Sequence, residues 1–125
     1  MSTYPSLAPF IIKRPWLTKL LTPVANWYSN AAGYRQLGLR ADDLICEEDE
    51  RVIKALKRLP PKEAYDRVYR LRRAFQCSCT HKLLPKEEWT KDSEDVPYLQ
   101  PLIDQIHAEE KEKDALDSMT VIRSH

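Results

Sequence analysis

Proline placement constrains this chain more than any other feature: it holds nine prolines and only two glycines. Proline fixes φ near the helical value and lacks an N–H, so it suits the first turn of a helix and breaks its interior. With glycine almost absent, the tight turns that join β-strands have few residues to build them. The chain therefore reads as helices with abrupt starts and stops. The expected fold is all-α, a single small domain of about four to six helices with an extended N-terminal arm.

Residues 1–15 form that arm, with Phe10, Ile11 and Ile12 as an apolar tip beside Lys13 and Arg14. Its basic, acid-free composition resembles a mitochondrial presequence, but Pro5, Pro9 and Pro15 interrupt the amphipathic helix such a signal needs. The arm is read as part of the mature protein. Residues 16–31 form a membrane-proximal aromatic helix, in which Trp16, Leu20, Val24 and Trp27 or Tyr28 recur at helical steps. Pro23 lies inside this pattern and predicts a kink or the start of a second helix. Trp, Tyr and Lys on one short element either fill a core or meet a membrane protein and lipid headgroups. The second reading is preferred, because so short a chain has little room to bury them all.

Residues 32–118 form the helical body and a charged C-terminal helix. After a loop holding Gly33 and Gly38, Asp42 is placed to cap a helix starting near Asp43, with Ile45, Val52, Leu56 and Leu59 on one face. Pro60-Pro61 ends it and opens the next helix, Lys62 to about Leu84. There Tyr65, Val68, Leu71 or Arg72, and Phe75 share a face, with Arg67, Arg70, Arg72 and Arg73 around the rest. Pro85 opens a short element anchored by Trp89, and residues 92–96 link to a final helix from about Tyr98. The first half of that helix carries Leu99, Leu102, Ile103 and Ile106. Its second half is polar all round, which suits solvent or a charged partner.

A net charge of +1 conceals blocks of alternating sign. Residues 1–41 carry five Lys/Arg and no acid, and residues 42–50 carry six acids and no base. Residues 51–91 hold twelve bases against four acids, and residues 92–125 hold nine acids against three bases. Such blocks predict a subunit wedged between differently charged partners. The odd number of cysteines, three, cannot complete a disulfide framework and points to a reducing compartment. No apolar run approaches the ~18–20 residues of a spanning helix, and no secretory signal is expected.

Catalytic constellations are absent from the sequence. Cys77, Cys79 and His81 have a metal-ligand look, but on a helix the two cysteines lie about 200° apart, and Cys77 with His81 supplies too few ligands for a structural zinc site. No phosphate loop, nucleophile elbow or paired nucleophile and base is present. Two charged groups remain. The cluster Glu47 to Glu50 is either a solvated helix start or a place where a carboxylate passes protons or pairs with a partner's basic residues. The arginines at 67, 70, 72 and 73 are either a solvated, salt-bridged face or a surface for phosphate, anionic lipid or an acidic partner.

An ordered set of short motifs carries a family resemblance. It comprises Pro23-Val24-Ala25-Asn26, AGYRQLGL (Ala32 to Leu39), DDLI (Asp42 to Ile45) with Glu47-Glu48, LKRLP (Leu56 to Pro60), and AYDRVYRLRRA (Ala64 to Ala74) with Gln76. His81, Leu83-Leu84-Pro85, Glu88-Trp89, DVPYL (Asp95 to Leu99), Pro101 and EKEKDALD (Glu110 to Asp117) complete it. Across residues 15–117 the chain resembles the small matrix-side subunit of the mitochondrial cytochrome bc1 complex (respiratory complex III), subunit 7 of fungi.

The resemblance implies an all-α, non-catalytic accessory subunit, peripheral on the matrix side of the inner membrane, that supports assembly. Cytochrome b, subunit 8, the core proteins and membrane lipids are the implied partners. No cofactor is implied for this chain: haem b, haem c1, the iron–sulfur cluster and ubiquinone belong to partner subunits. Trp16, Trp27, Tyr28, Tyr34 and Arg35 are then expected at cytochrome b and the membrane, and Arg67, Arg70 and Arg73 at a charged partner interface. Glu48 matches a family glutamate near the matrix-side proton route to the quinone-reduction site. The alternative, a basic helical nucleic-acid-binding module built on Arg67 to Arg73, leaves the N-terminal aromatics unexplained.

Overall fold

The computed structural model describes residues 6–119. Among them are five α-helices: α1 (Ala8–Ile12), α2 (Pro15–Ala31), α3 (Glu50–Arg58), α4 (Pro61–Thr80) and α5 (Gln100–Asp117). Three 3-10 turns, Arg35–Leu37, Ala41–Leu44 and Lys86–Glu88, join them, and the described residues contain no strand. The first five residues of the expected arm lie outside the described residues, and its remainder is α1 and the turn before Pro15.

Proline placement explains the boundaries. Helices α1, α2, α4 and α5 each carry a proline at the first or second helical position, where its missing N–H costs nothing. Helix α3 starts differently, on Asp49, whose carboxylate accepts the Arg51 N–H at 2.9 Å. Helix α4 stops at Thr80 because His81 turns left-handed at φ 52°. The Lys82 N–H then reaches the Cys77 carbonyl at 3.1 Å and the His81 N–H reaches that of Ser78 at 3.3 Å, the double closure of a helix C-terminus.

Three expectations are corrected here. The helix expected from Asp43 does not form: a 3-10 turn ends at Leu44, five non-helical residues follow, and α3 begins only at Glu50. The reason is that the Asp42 carboxylate is drawn across the fold to the N–H groups of Leu99 and Gln100, while Asp43 closes only its own 3-10 turn, through the Arg40 N–H, and is held there by Arg70. Of the two outcomes expected at Pro23, the start of a second helix does not occur: α2 runs from Pro15 to Ala31 through it. Both Pro23 and Lys19 are exposed, so water can serve the Lys19 carbonyl that loses its donor. Helix α4 ends four residues short of Leu84, at the left-handed His81.

The core is small and lies between α3 and α5. Val52, Ala55 and Leu59 meet Leu99 and Ile106, with Ile45, Leu56, Ala64, Tyr98, Leu102 and Ile103 packed around them. Leu99 and Ala55 are fully buried. Along the solvent edge of the same helix pair, Arg58 grips Glu109 with two 2.8 Å bonds, and Arg51 and Lys54 reach Glu110 at 2.6 and 3.1 Å. The first polar turn of the α5 tail is therefore matched to the basic face of α3.

Candidate functional site

Two of the four arginines of α4 are internal and not part of a surface. Arg67 and Arg70 are 4% and 8% exposed and point into the molecule. Arg70 holds the Asp43 carboxylate with two bonds, Nε to Oδ2 at 2.6 Å and Nη2 to Oδ1 at 2.9 Å. Arg67 donates to the Asp42 carbonyl at 3.2 Å, the Tyr98 hydroxyl at 2.7 Å and Glu47 Oε1 at 2.8 Å. Tyr98 in turn donates to Asp43, whose Oδ2 also accepts the Arg40 N–H at 3.0 Å. Next to it, Asp42 Oδ2 accepts the N–H groups of Leu99 and Gln100 at 2.8 and 3.0 Å, so it caps α5 across the fold. Burial pushes the Asp43 carboxyl up, but the bonds from Arg70, Tyr98 and the Arg40 N–H outweigh it and hold its pKa below the usual value. Burial and the Asp43 charge push the Tyr98 phenol up, keeping it a donor.

A second cluster fixes the root of α2. Arg35 is 7% exposed, and its guanidinium bonds to Asp95 Oδ2 through Nε at 3.1 Å and Nη2 at 3.0 Å. It also reaches Asp92, and Asn30 of α2 at 2.8 Å. Tyr34 donates to the same Asp95 oxygen at 2.6 Å, and the Ala41 N–H donates to Asp95 Oδ1 at 2.9 Å. Burial raises Asp95, and these donors more than offset it, leaving its pKa below the usual carboxylate value. Arg73 donates to the Gly38 carbonyl at 3.3 Å and lies over the Tyr69 ring.

These contacts give the expected interface residues an internal role: Tyr34 and Arg35 are tethers to Asp95, and Arg67 and Arg70 form buried ion pairs with Glu47 and Asp43. Parts of the charge blocks meet one another within the chain: Asp43 and Glu47 pair with Arg70 and Arg67 of α4, Asp92 and Asp95 with Arg35, and Glu109 and Glu110 with Arg51, Lys54 and Arg58 of α3. Asp43, Asp95 and Tyr98, which organise both clusters, were not singled out from the sequence. The adjacency of an acidic and a basic block was the available signal.

The aromatic hairpin stands otherwise. Trp16, Leu20, Val24, Trp27 and Tyr28 are each more than half exposed, so they do not fill a core. Helix α1 packs on the opposite side of α2, where Ile11 and Leu21 are half-buried and Thr18 donates to the Ile11 carbonyl at 3.1 Å. Arg14 lies over the Phe10 ring, and the charged residues within α1, α2 and the turn between them, Lys13, Arg14 and Lys19, are all basic. Among the described residues no helix is long and apolar enough to cross a membrane. Glu48 is exposed in the turn before α3 and makes no ion pair among the described residues, whereas its neighbour Glu47 is tied to Arg67. Cys79 is exposed, Cys77 is half-buried, and His81 serves as the left-handed cap of α4.

Comparison with known proteins places this arrangement. Residues 15–114 match the family model described as the ubiquinol-cytochrome C reductase complex 14kD subunit. The chain is 68% identical over 120 residues to cytochrome b-c1 complex subunit 7 of Neurospora crassa, covering 96% of this chain and 98% of that one. It is 52% identical to the mitochondrial subunit 7 of Saccharomyces cerevisiae over 92% of this chain and 91% of that one. With subunit 7 of Pongo abelii the identity is 45%, over 77% of this chain and 86% of the other. A family model spanning most of the chain and identities this high leave one conclusion: the chain belongs to the 14-kD subunit family of the ubiquinol–cytochrome c reductase complex.

Proposed function

We propose that this chain is a non-catalytic accessory subunit of mitochondrial complex III that seats its aromatic hairpin on cytochrome b and adjoining lipid at the matrix face of the inner membrane. Family membership supports the complex. The observation that carries the seating is the exposed stripe Trp16, Leu20, Val24, Trp27 on an acid-free segment. A contiguous apolar patch rimmed by cations is unstable against water and is matched by an apolar surface with anionic surroundings, which a membrane protein at the headgroup level offers. The internal clusters hold the root of the hairpin rigid, so that contact at one end can brace the body against subunit 8 and the core proteins. In this reading haem b, haem c1, the iron–sulfur cluster and ubiquinone stay with the partner subunits, and electron transfer is theirs.

The test uses the full chain, tagged, with Trp16→Glu and Trp27→Glu combined. Both side chains are largely exposed, so the isolated variant keeps its helical circular dichroism, while b- and c-type haem recovered with it from mild-detergent extracts falls sharply. Haem recovery at the parental level would refute the seating.

Glu48 supports a narrower second reading. With Glu47 held by Arg67, Glu48 is the free carboxylate of the turn, positioned to exchange protons with water and pass them toward the quinone-reduction site. Glu48→Gln then leaves assembly intact and slows quinol turnover. Equal turnover across the pH range would remove the idea.

A further inference from the structure

Helix α4 is inverted relative to an ordinary surface helix: two of its arginines, Arg67 and Arg70, face inward and its aromatic residues face out. At about 100° per residue, Tyr65, Val68, Tyr69, Arg72, Phe75 and Cys79 fall on one arc of roughly 120°, opposite buried Arg67, Arg70 and Ala74. Tyr65 is 76% exposed, Tyr69 63% and Phe75 72%. Taking ~200 Å² for a fully exposed aromatic residue, these three leave roughly 400 Å² in water, about half of one side of a standard protein interface. Arg73, lying 5.3 Å from the centroid of the Tyr69 ring, holds one edge of the stripe in place.

We infer that this outer face of α4 docks an apolar protein surface of another subunit that carries a single carboxylate opposite Arg72. Arg72 sits at the middle of the arc, is exposed, and makes no ion pair among the described residues. A partner that dries the stripe must neutralise it. A second copy of this chain does not fit, because a two-fold axis through the stripe sets Arg72 against Arg72. A lipid surface fits poorly too. Interfacial helices meet headgroups with Lys and Arg from their polar face, and on α4 Arg67 and Arg70 are committed inside the fold. The partner is thus a protein, and this surface is separate in sequence from the α1–α2 hairpin.

The inference rests on the chain being a subunit of the assembled complex, and the experiment separates the two. A tagged chain with p-benzoylphenylalanine in place of Phe75 is purified in the complex and irradiated. The expected adduct is a peptide of one other subunit with an Asp or Glu near the attachment point. Arg72→Glu, which disturbs no internal contact, then lowers incorporation into the complex ~10-fold or more, as expected for a like charge set against a desolvated carboxylate. Exchanging that acid for Arg restores it. Absence of haem in the purified material would refute the subunit reading itself. With haem present, adducts only to lipid, only to a second copy or to nothing, or wild-type incorporation of Arg72→Glu, would overturn the docking face alone.

Discussion

Asp43→Asn tests whether the buried arginines are structural. The Asp43 side chain is fully buried and is the shared acceptor for Arg70, Arg67 and Tyr98. The substitution keeps the volume but removes the charge, and it turns an amide N–H₂ toward a guanidinium that previously held two acceptor oxygens. Breaking a buried pair on one side costs about 3–5 kcal/mol, because the other charge stays buried without compensation. With an unfolding entropy of about 2.1 cal/mol/K per residue, a chain of this length loses roughly 11–19 °C in Tm. That is a large share of the ~5–15 kcal/mol available to a small domain. The control is Glu47→Gln, whose side chain is 56% exposed and whose bond to Arg67 is therefore worth about 1 kcal/mol or less. Thermal and urea unfolding followed by circular dichroism give both values.

The pH dependence follows from the same pair. The folded pKa of Asp43 lies below its ordinary 3.8. Its stabilisation is therefore complete above the unfolded value and is lost as pH falls through the folded one. The gap between the parent and Asp43→Asn is constant from neutrality to about pH 4 and closes below it. A loss no larger than that of Glu47→Gln, or a gap that closes above pH 5, would refute the argument.

Three further outcomes depend on local geometry. Gly38 has φ +72°, and an added Cβ would sit 2.1 Å from Arg73 Nη2 and 2.9 Å from Leu84 Cδ1. Gly38→Ala therefore destabilises by more than Gly33→Ala, where φ is +85° but nothing lies within 4 Å, and equal urea midpoints would contradict this. His81→Gly relieves a left-handed non-glycine residue and raises stability by about 1 kcal/mol, and an unchanged or lower urea midpoint would contradict this. Leu99→Ala empties the best-filled position between α3 and α5 and costs about 2–5 kcal/mol by chemical denaturation.

Local signals in the sequence carried three of the helix starts well. Proline at the start of α2, α4 and α5 marks each helix within a residue or two, because that choice depends only on the chain next to it. The aromatic stripe of α2 was legible for the same reason, as was the series Val52, Leu56, Leu59 on α3. The destination of each charge was not. Asp42 looked like the cap of the segment that follows it, and it caps a helix that begins 58 residues later. Arg67 and Arg70 looked like surface because isolated arginine almost never tolerates burial. They tolerate it here because Asp43 and Tyr98 arrive from two other segments, a pairing that periodicity within α4 cannot contain.

The folded charge pattern changes what the molecule can recognise. Blocks of alternating sign suggest long-range electrostatic attachment, yet folding turns part of each block inward: Asp43 with Arg70, Glu47 with Arg67, Asp95 with Arg35, Glu109 with Arg58. The largest exposed apolar features are the stripe of α2 and the stripe of α4, each with isolated cations. Salt weakens exposed charge pairs and leaves apolar contacts intact or strengthened. Attachment of this subunit should therefore survive salt washes that remove a protein held by charge alone, and should yield instead to detergents that compete for Trp16, Trp27 and Phe75. Release from membranes by salt at unchanged detergent concentration would mean that the exposed aromatic faces are not what holds it.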